Sequence, residues 1–137
     1  MLSPRLAALV DALPLRPDSR VLEIGCGPGA AARAVAARLT TGRIVAIDRS
    51  AAAIRQAESA GAEEIAAGRL RVRRIAAEAF VLDPGEPPFD LVFAVRVGAL
   101  DGRLPELGAQ VLRRLAECTT PDARLYVDGH HHPIPRA

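Results

Sequence analysis

Residues 21–29, Val-Leu-Glu-Ile-Gly-Cys-Gly-Pro-Gly, set an apolar run directly against three glycines at Gly-x-Gly-x-Gly spacing. Such glycines let the backbone turn tightly and let a ligand approach the main-chain N–H groups. By itself the pattern also fits a plain strand-to-helix connection. Asp48 adds chemistry. It ends the next apolar run about 20 residues further on, where a carboxylate can accept hydrogen bonds from both hydroxyls of a ribose. The two features together predict an adenosine-type ligand.

Other chemistry is narrowed by composition. All 18 basic residues are Arg, so neither a Schiff-base mechanism nor the phosphate-gripping Lys of a P-loop is available. Cys26 has no histidine near it in sequence and reads as a small residue filling the turn, while Cys118 falls on the apolar stripe of a helix. No metal site is expected, because His130, His131 and His132 are adjacent in sequence and no second cluster of ligands supports them. Phe and Tyr are too scarce to build a stacking platform, so no nucleic-acid partner is expected.

These residues need a scaffold, and the chain supplies one. Its 137 residues, 50% hydrophobic and 25% charged with a net charge of +2, suit one domain with a self-sufficient core and no strong field toward nucleic acid or membrane. We read a single domain over 1–137, with an N-terminal helix and linker at 1–17 and a tail at 130–137. Apolar runs at 21–24, 44–47, 70–76, 89–95 and 123–127 read as strands. Helical patterns lie at 4–13, 30–39, from Ser50 to Gly68, and at 104–118. Arg69, Arg71 and Arg73 alternate with Leu70 and Val72, which suits an exposed edge strand. Strands alternating with helices argue for βαβ units and a parallel sheet. Arg33 and Arg38 break the Ala-rich run, so no membrane span is expected, and the N-terminus shows no secretory signal, which predicts a cytoplasmic location.

From about Pro17 to Gly129 the chain resembles the class I S-adenosylmethionine-dependent methyltransferases. The stretch 21–29 looks like that family's first motif. Val45-Ala46-Ile47-Asp48 looks like its ribose-binding second motif, and Pro88-Phe89-Asp90-Leu91-Val92-Phe93 looks like the strand beneath the methyl donor. Val111-Leu112-Arg113-Arg114-Leu115, Pro121 and Arg124-Leu125-Tyr126-Val127 are similar to the elements that end the core. The resemblance implies an α/β, Rossmann-like open sheet of strand order 3-2-1-4-5 with helices on both faces.

It also implies S-adenosylmethionine as cofactor. Gly25, Cys26, Gly27 and Gly29 would lie against its methionine part, and Glu23 would shape that loop or meet the amino group. Asp48 would hold the ribose, Arg49 would flank the adenine, and Ala77 with Glu78 would close over it. Many members carry an acid for the adenine amino group where this chain has Ala76 or Ala77, so that contact is lost or shifted to Glu78. Ala94, Val95 and Arg96 would face the sulfonium and the methyl acceptor. A base is needed only if the acceptor must lose a proton, and His130, His131, His132 and Asp128 follow the fifth strand at the ligand-binding edge. His130 and Arg96 are the catalytic candidates. Arg96 either anchors an anionic acceptor or pairs with Asp101 at the surface.

The resemblance implies a short form. Typical members continue past the fifth strand with a helix and an antiparallel hairpin, which this reading finds missing. A fifth strand left bare would be covered by the tail, a homodimer partner or another protein. The Asn/Asp-Pro-Pro-aromatic signature of base methylation is absent, so the expected acceptor is a small molecule. The competing readings are a cofactor-binding module without catalysis and a nicotinamide-dependent oxidoreductase.

Overall fold

The computed structural model describes residues 2–136. Six strands, β1 (Arg20–Ile24), β2 (Arg43–Asp48), β3 (Leu70–Arg74), β4 (Phe89–Ala94), β5 (Thr119–Val127) and β6 (His130–His132), form one sheet in the order 3-2-1-4-5-6. The first five are parallel, and β6 runs antiparallel to β5. Five helices accompany them: α1 (Pro4–Ala12), α2 (Ala30–Ala36), α3 (Ala51–Ala60), α4 (Ala62–Ala66) and α5 (Pro105–Cys118).

The strand side chains alternate between two cores. Val21, Ile44, Ala46, Leu91 and Phe93 pack under α1, α2 and α3 with Val10, Val35 and Ile54. Leu22, Ile24, Val45, Ile47 and Val92 face the other way, onto Val111, Leu115 and Cys118 of α5 and onto Phe80. Helices therefore cover both faces, and β1, β2 and β4 are buried on both. Such burial stabilises each aliphatic side chain by roughly 1.5–3 kcal/mol, which fixes the sheet's centre and the ends of its strands.

Capping explains two helix starts. Ser3 accepts a hydrogen bond from Leu6 N at 3.2 Å before Pro4 opens α1, and Ser50 accepts one from Ala53 N at 3.2 Å before α3. The single long helix expected from Ser50 to Gly68 is two helices, because Gly61 leaves helical geometry at φ −96° and ψ 17° and caps α3 before α4 begins. β3 is an edge strand, and its Arg71 and Arg73 pair with Asp83 and Glu86.

The expected absence of a C-terminal hairpin is corrected. Val127 pairs with His130 across a two-residue loop, Asp128-Gly129, in which both residues have positive φ, 50° and 86°. That is the backbone of a type I′ turn, for which Asp-Gly is a preferred pair because its twist matches the flanking strands. His130–His132 is thus a strand and not tail. It pairs with β5 over Leu125–Val127, so the bare fifth-strand edge invoked for a homodimer or partner is covered there by the chain itself. Beyond β6 the chain turns back: Ile134 is buried in the α5 core, and Arg136 donates to Ala116 O and Thr120 O.

Candidate functional site

The strand order reverses beside β1, where β2 and β4 leave in opposite directions, and ligands of open α/β sheets bind at the carboxyl ends of strands at such a point. The glycine turn sits there. Gly25 N and Cys26 N both donate to Ile47 O, at 2.9 and 3.0 Å, tying the elbow to the end of β2. Asp48 completes the tie: its Oδ2 accepts from Gly27 N at 3.0 Å and its Oδ1 from Ser50 N at 2.9 Å. Each oxygen keeps a second lone pair for a hydroxyl donor. The elbow and the carboxylate expected to share a crevice are therefore in direct contact.

Two cavities open around this contact. One, of about 270 Å³, is lined by Asp48, Arg49, Ala76, Ala77 and Glu78, with Val97 and Leu107 among its apolar walls. The other, of about 310 Å³, is lined by Glu23, Gly25, Cys26 and Gly27 together with residues of α1 and with Val95. Gly25 and Arg96 line both. The pair forms a bent cleft that passes the elbow, and Val97 packs so closely on Gly25 that a Cβ there would come within 2.8 Å of Val97 Cγ2.

Glu23 is the electrostatic peculiarity of the site. It is 3% exposed, and its Oε1 is buried without a hydrogen-bond partner among the described residues. Burial first, and the nearby Asp48 charge second, push its carboxyl up to about 8. A cationic group entering the cavity beside it would relieve both. Cys26 shares this environment, and burial with the charges of Glu23 and Asp48 pushes its thiol up to about 12, so it is no nucleophile at neutral pH.

Most of the site residues expected from sequence gather here. Glu23, Gly25, Cys26 and Gly27 line one cavity; Asp48, Arg49, Ala77 and Glu78 line the other. Gly29 and Ala94 line neither. Gly29 lets α2 and α3 touch, since a Cβ would lie 3.1 Å from that of Ala57, and Ala94 is wholly buried in the core on the α5 side of the sheet. His130, His131 and His132 also line neither cavity, and the His131 ring lies against Tyr126 with centroids 5.5 Å apart. Asp101 pairs with Arg103 and not with Arg96. Sequence reasoning missed Ser3, Arg5, Leu6 and Leu9, which bring α1 over the cleft. Leu6 and Leu9 lie at helical spacing within the 4–13 pattern, and nothing local tells a core leucine from a cavity wall. Among the described residues no group of three or more His, Cys, Asp or Glu converges as a metal site, and no helix is long and apolar enough to cross a membrane.

An α/β sheet with a glycine elbow bonded to an acid one strand away defines a Rossmann-like nucleoside-binding fold. Residues 21–122 match the family model described as a methyltransferase domain, and the chain belongs to that family. It is 42% identical over 102 residues to a protein-L-isoaspartate O-methyltransferase of Methylorubrum populi, covering 74% of this chain and 43% of that protein. Its structure is similar to that of an S-adenosylmethionine-dependent methyltransferase from Thiobacillus denitrificans in complex with S-adenosyl-L-homocysteine, with a TM-score of 0.69, 25% identity, and 90% of this chain and 47% of that one covered. The cyclase SpnF superposes with a TM-score of 0.72 at 22% identity, over 89% of this chain and 42% of its own. The chain spans well under half the length of the curated relatives it matches.

Proposed function

We propose that this domain binds S-adenosylmethionine along the bent cleft and transfers its methyl group to a small-molecule acceptor. The observation that carries the reading is the Gly27–Asp48 hydrogen bond, which puts the glycine elbow and a ribose-competent carboxylate on one rim between two cavities. The residues present suit the cofactor's parts. Asp48 lines the cavity of about 270 Å³ and keeps free lone pairs for ribose hydroxyls, and Arg49, Ala77 and Glu78 offer walls for an adenine there. Glu23, buried with an orphaned oxygen, suits the cofactor's ammonium group.

When bound, the sulfonium supplies an already activated methyl group. The protein's contribution is then alignment and exclusion of water, the terms that dominate an in-line displacement. Asp48 and the elbow fix the donor, Val97 and Gly25 narrow the passage between the cavities, and Leu6 and Leu9 of α1 with Val95 supply apolar wall beside Arg5 and Arg96. The likeness to SpnF is a likeness of fold, and that protein is a cyclase, so methyl transfer must be tested apart from cofactor binding.

The test is calorimetry with S-adenosylhomocysteine and, separately, with NAD, followed by transfer of a labelled methyl group to a small-molecule panel. We expect one S-adenosylhomocysteine per chain, no NAD binding, and transfer. Binding of NAD alone would replace this reading with the oxidoreductase one, and binding of the methyl donor without transfer to any acceptor would reduce the domain to a cofactor-binding module.

A further inference from the structure

We propose that the acceptor is a small carboxylate seated between Arg96 and Arg5, and that the product is its methyl ester. This rests on the reading of the cleft as a methyl-donor site and names what that site methylates. Arg5 comes from α1 and Arg96 from the end of β4, so two separate elements bring a guanidinium to the same cavity of about 310 Å³. Neither side chain has an ion pair or hydrogen bond among the described residues. The acid nearest in sequence to Arg96 that could have neutralised it, Asp101, is taken by Arg103. The remaining walls include Leu6, Leu9, Ala31 and Val95. Both arginines are exposed residues on a cavity whose other walls are largely apolar, and guanidinium forks favour a planar, bidentate anion.

The backbone at Arg96 points the same way. Its φ is 57°, a left-handed conformation that costs a long side chain on the order of 1 kcal/mol or more and persists only where surroundings impose it. Asp128 imposes it: Asp128 Oδ1 accepts from Arg96 N at 2.8 Å, while Asp128 N donates to Ala94 O at 2.9 Å. The same hairpin turn bears on α1, since a Cβ at Gly129 would come within 2.6 Å of Leu9 Cδ2. One turn thus braces both elements that deliver the arginines.

The chemistry fits an acceptor that needs no deprotonation. The ionisable side chains lining this cavity are Arg5, Glu23, Cys26 and Arg96. Arginine accepts no proton, the Cys26 thiol is held far from ionisation, and Glu23 is buried below the elbow. An alcohol or amine acceptor calls for a base here, whereas a carboxylate is already ionised at neutral pH. A carboxylate oxygen forms the new bond to the methyl carbon, the carbon–sulfur bond breaks with its electron pair passing to sulfur, and the sulfonium becomes a neutral thioether. No proton moves.

The experiment uses the full chain, S-adenosylhomocysteine in a calorimeter, and labelled S-adenosylmethionine with a panel of small mono-, di- and tricarboxylates, each beside its primary amide. We expect label that mild alkali releases as methanol, with kcat/KM for the best carboxylate exceeding that of its amide roughly tenfold or more. Arg96→Gln and the surface variant Arg5→Gln should each lower that kcat/KM about tenfold while changing the S-adenosylhomocysteine Kd less than about threefold. Label stable to alkali, amides used as well as acids, or no carboxylate labelled by a chain that binds S-adenosylhomocysteine overturns the proposal and leaves the donor reading standing. A large loss of S-adenosylhomocysteine affinity in either variant assigns that arginine to the cofactor, whose methionine end shares this cavity, and overturns the two-arginine seat. Failure of the wild-type chain to bind S-adenosylhomocysteine removes the donor reading and this proposal with it.

Discussion

Gly27 donates its backbone N–H to the Asp48 carboxylate at 3.0 Å, joining two residues 21 positions apart on neighbouring strand ends. The second Asp48 oxygen accepts from Ser50 N, so one side chain fixes the glycine elbow and the entry to α3 at once. The group that would hold the ribose is also a structural clamp.

Substitution at Asp48 should therefore show in two measurements. Asp48→Ala leaves two backbone donors without their acceptor and should cost about 1–3 kcal/mol in urea denaturation of the free protein. It should also abolish most of the rise in melting temperature that S-adenosylhomocysteine gives the wild type, since a ligand stabilises only the fold it binds. A normal ligand shift in a destabilised Asp48→Ala would leave the clamp and remove the ribose role.

The raised pKa of Glu23 makes stability depend on pH in a defined direction. In the unfolded chain the group ionises near its ordinary value of 4.5, whereas in the fold it holds its proton to about 8. Between those values the folded state binds more protons, so stability is greatest below the lower one and falls as pH rises to the higher, by at most roughly 1.4 kcal/mol per pH unit. Glu23→Gln mimics the protonated acid and should flatten the urea midpoint between pH 5 and pH 8 relative to wild type. Parallel profiles in the two proteins would contradict the burial argument.

The hairpin turn gives a third expectation. Gly129 has a φ of 86°, and a Cβ there would press on Leu9 Cδ2, so Gly129→Ala should destabilise by about 1 kcal/mol or more. Because the turn also braces Arg96 through Asp128, Asp128→Ala should raise the acceptor KM more than it changes the S-adenosylhomocysteine Kd. Equal loss of both would mean that the turn is general scaffolding.

Thiol reactivity offers a fourth. Burial pushes Cys26 and Cys118 up to about 12, with nearby acidic charges adding to the effect. At pH 8 iodoacetamide should label neither residue in the native protein and both in urea, as counted by mass spectrometry. Rapid native labelling of Cys26 would reopen a nucleophilic role for it.

Much of this molecule is legible without coordinates, because the signals are local. The apolar run before Gly25, the acid ending the run at Ile47 and the arginine row around Val72 each follow from what a buried strand, a strand end and a strand edge tolerate. The Asp128-Gly129 turn was legible by the same logic, yet three histidines after it look like solvated tail, and only the pairing of Val127 with His130 shows the strand. Other features have no local signal at all. Which of α1's leucines line a cavity and how far Glu23 is removed from water depend on groups tens of residues away, while Asp101 had two arginines within five positions and only its side-chain geometry shows that it takes Arg103. Sequence thus determined the elements and the elbow, since hydrophobic period and turn chemistry act over a few residues. Tertiary structure alone decided the charge state of Glu23 and the freedom of Arg5 and Arg96, because desolvation and ion pairing are set by what long-range packing brings within a few ångströms.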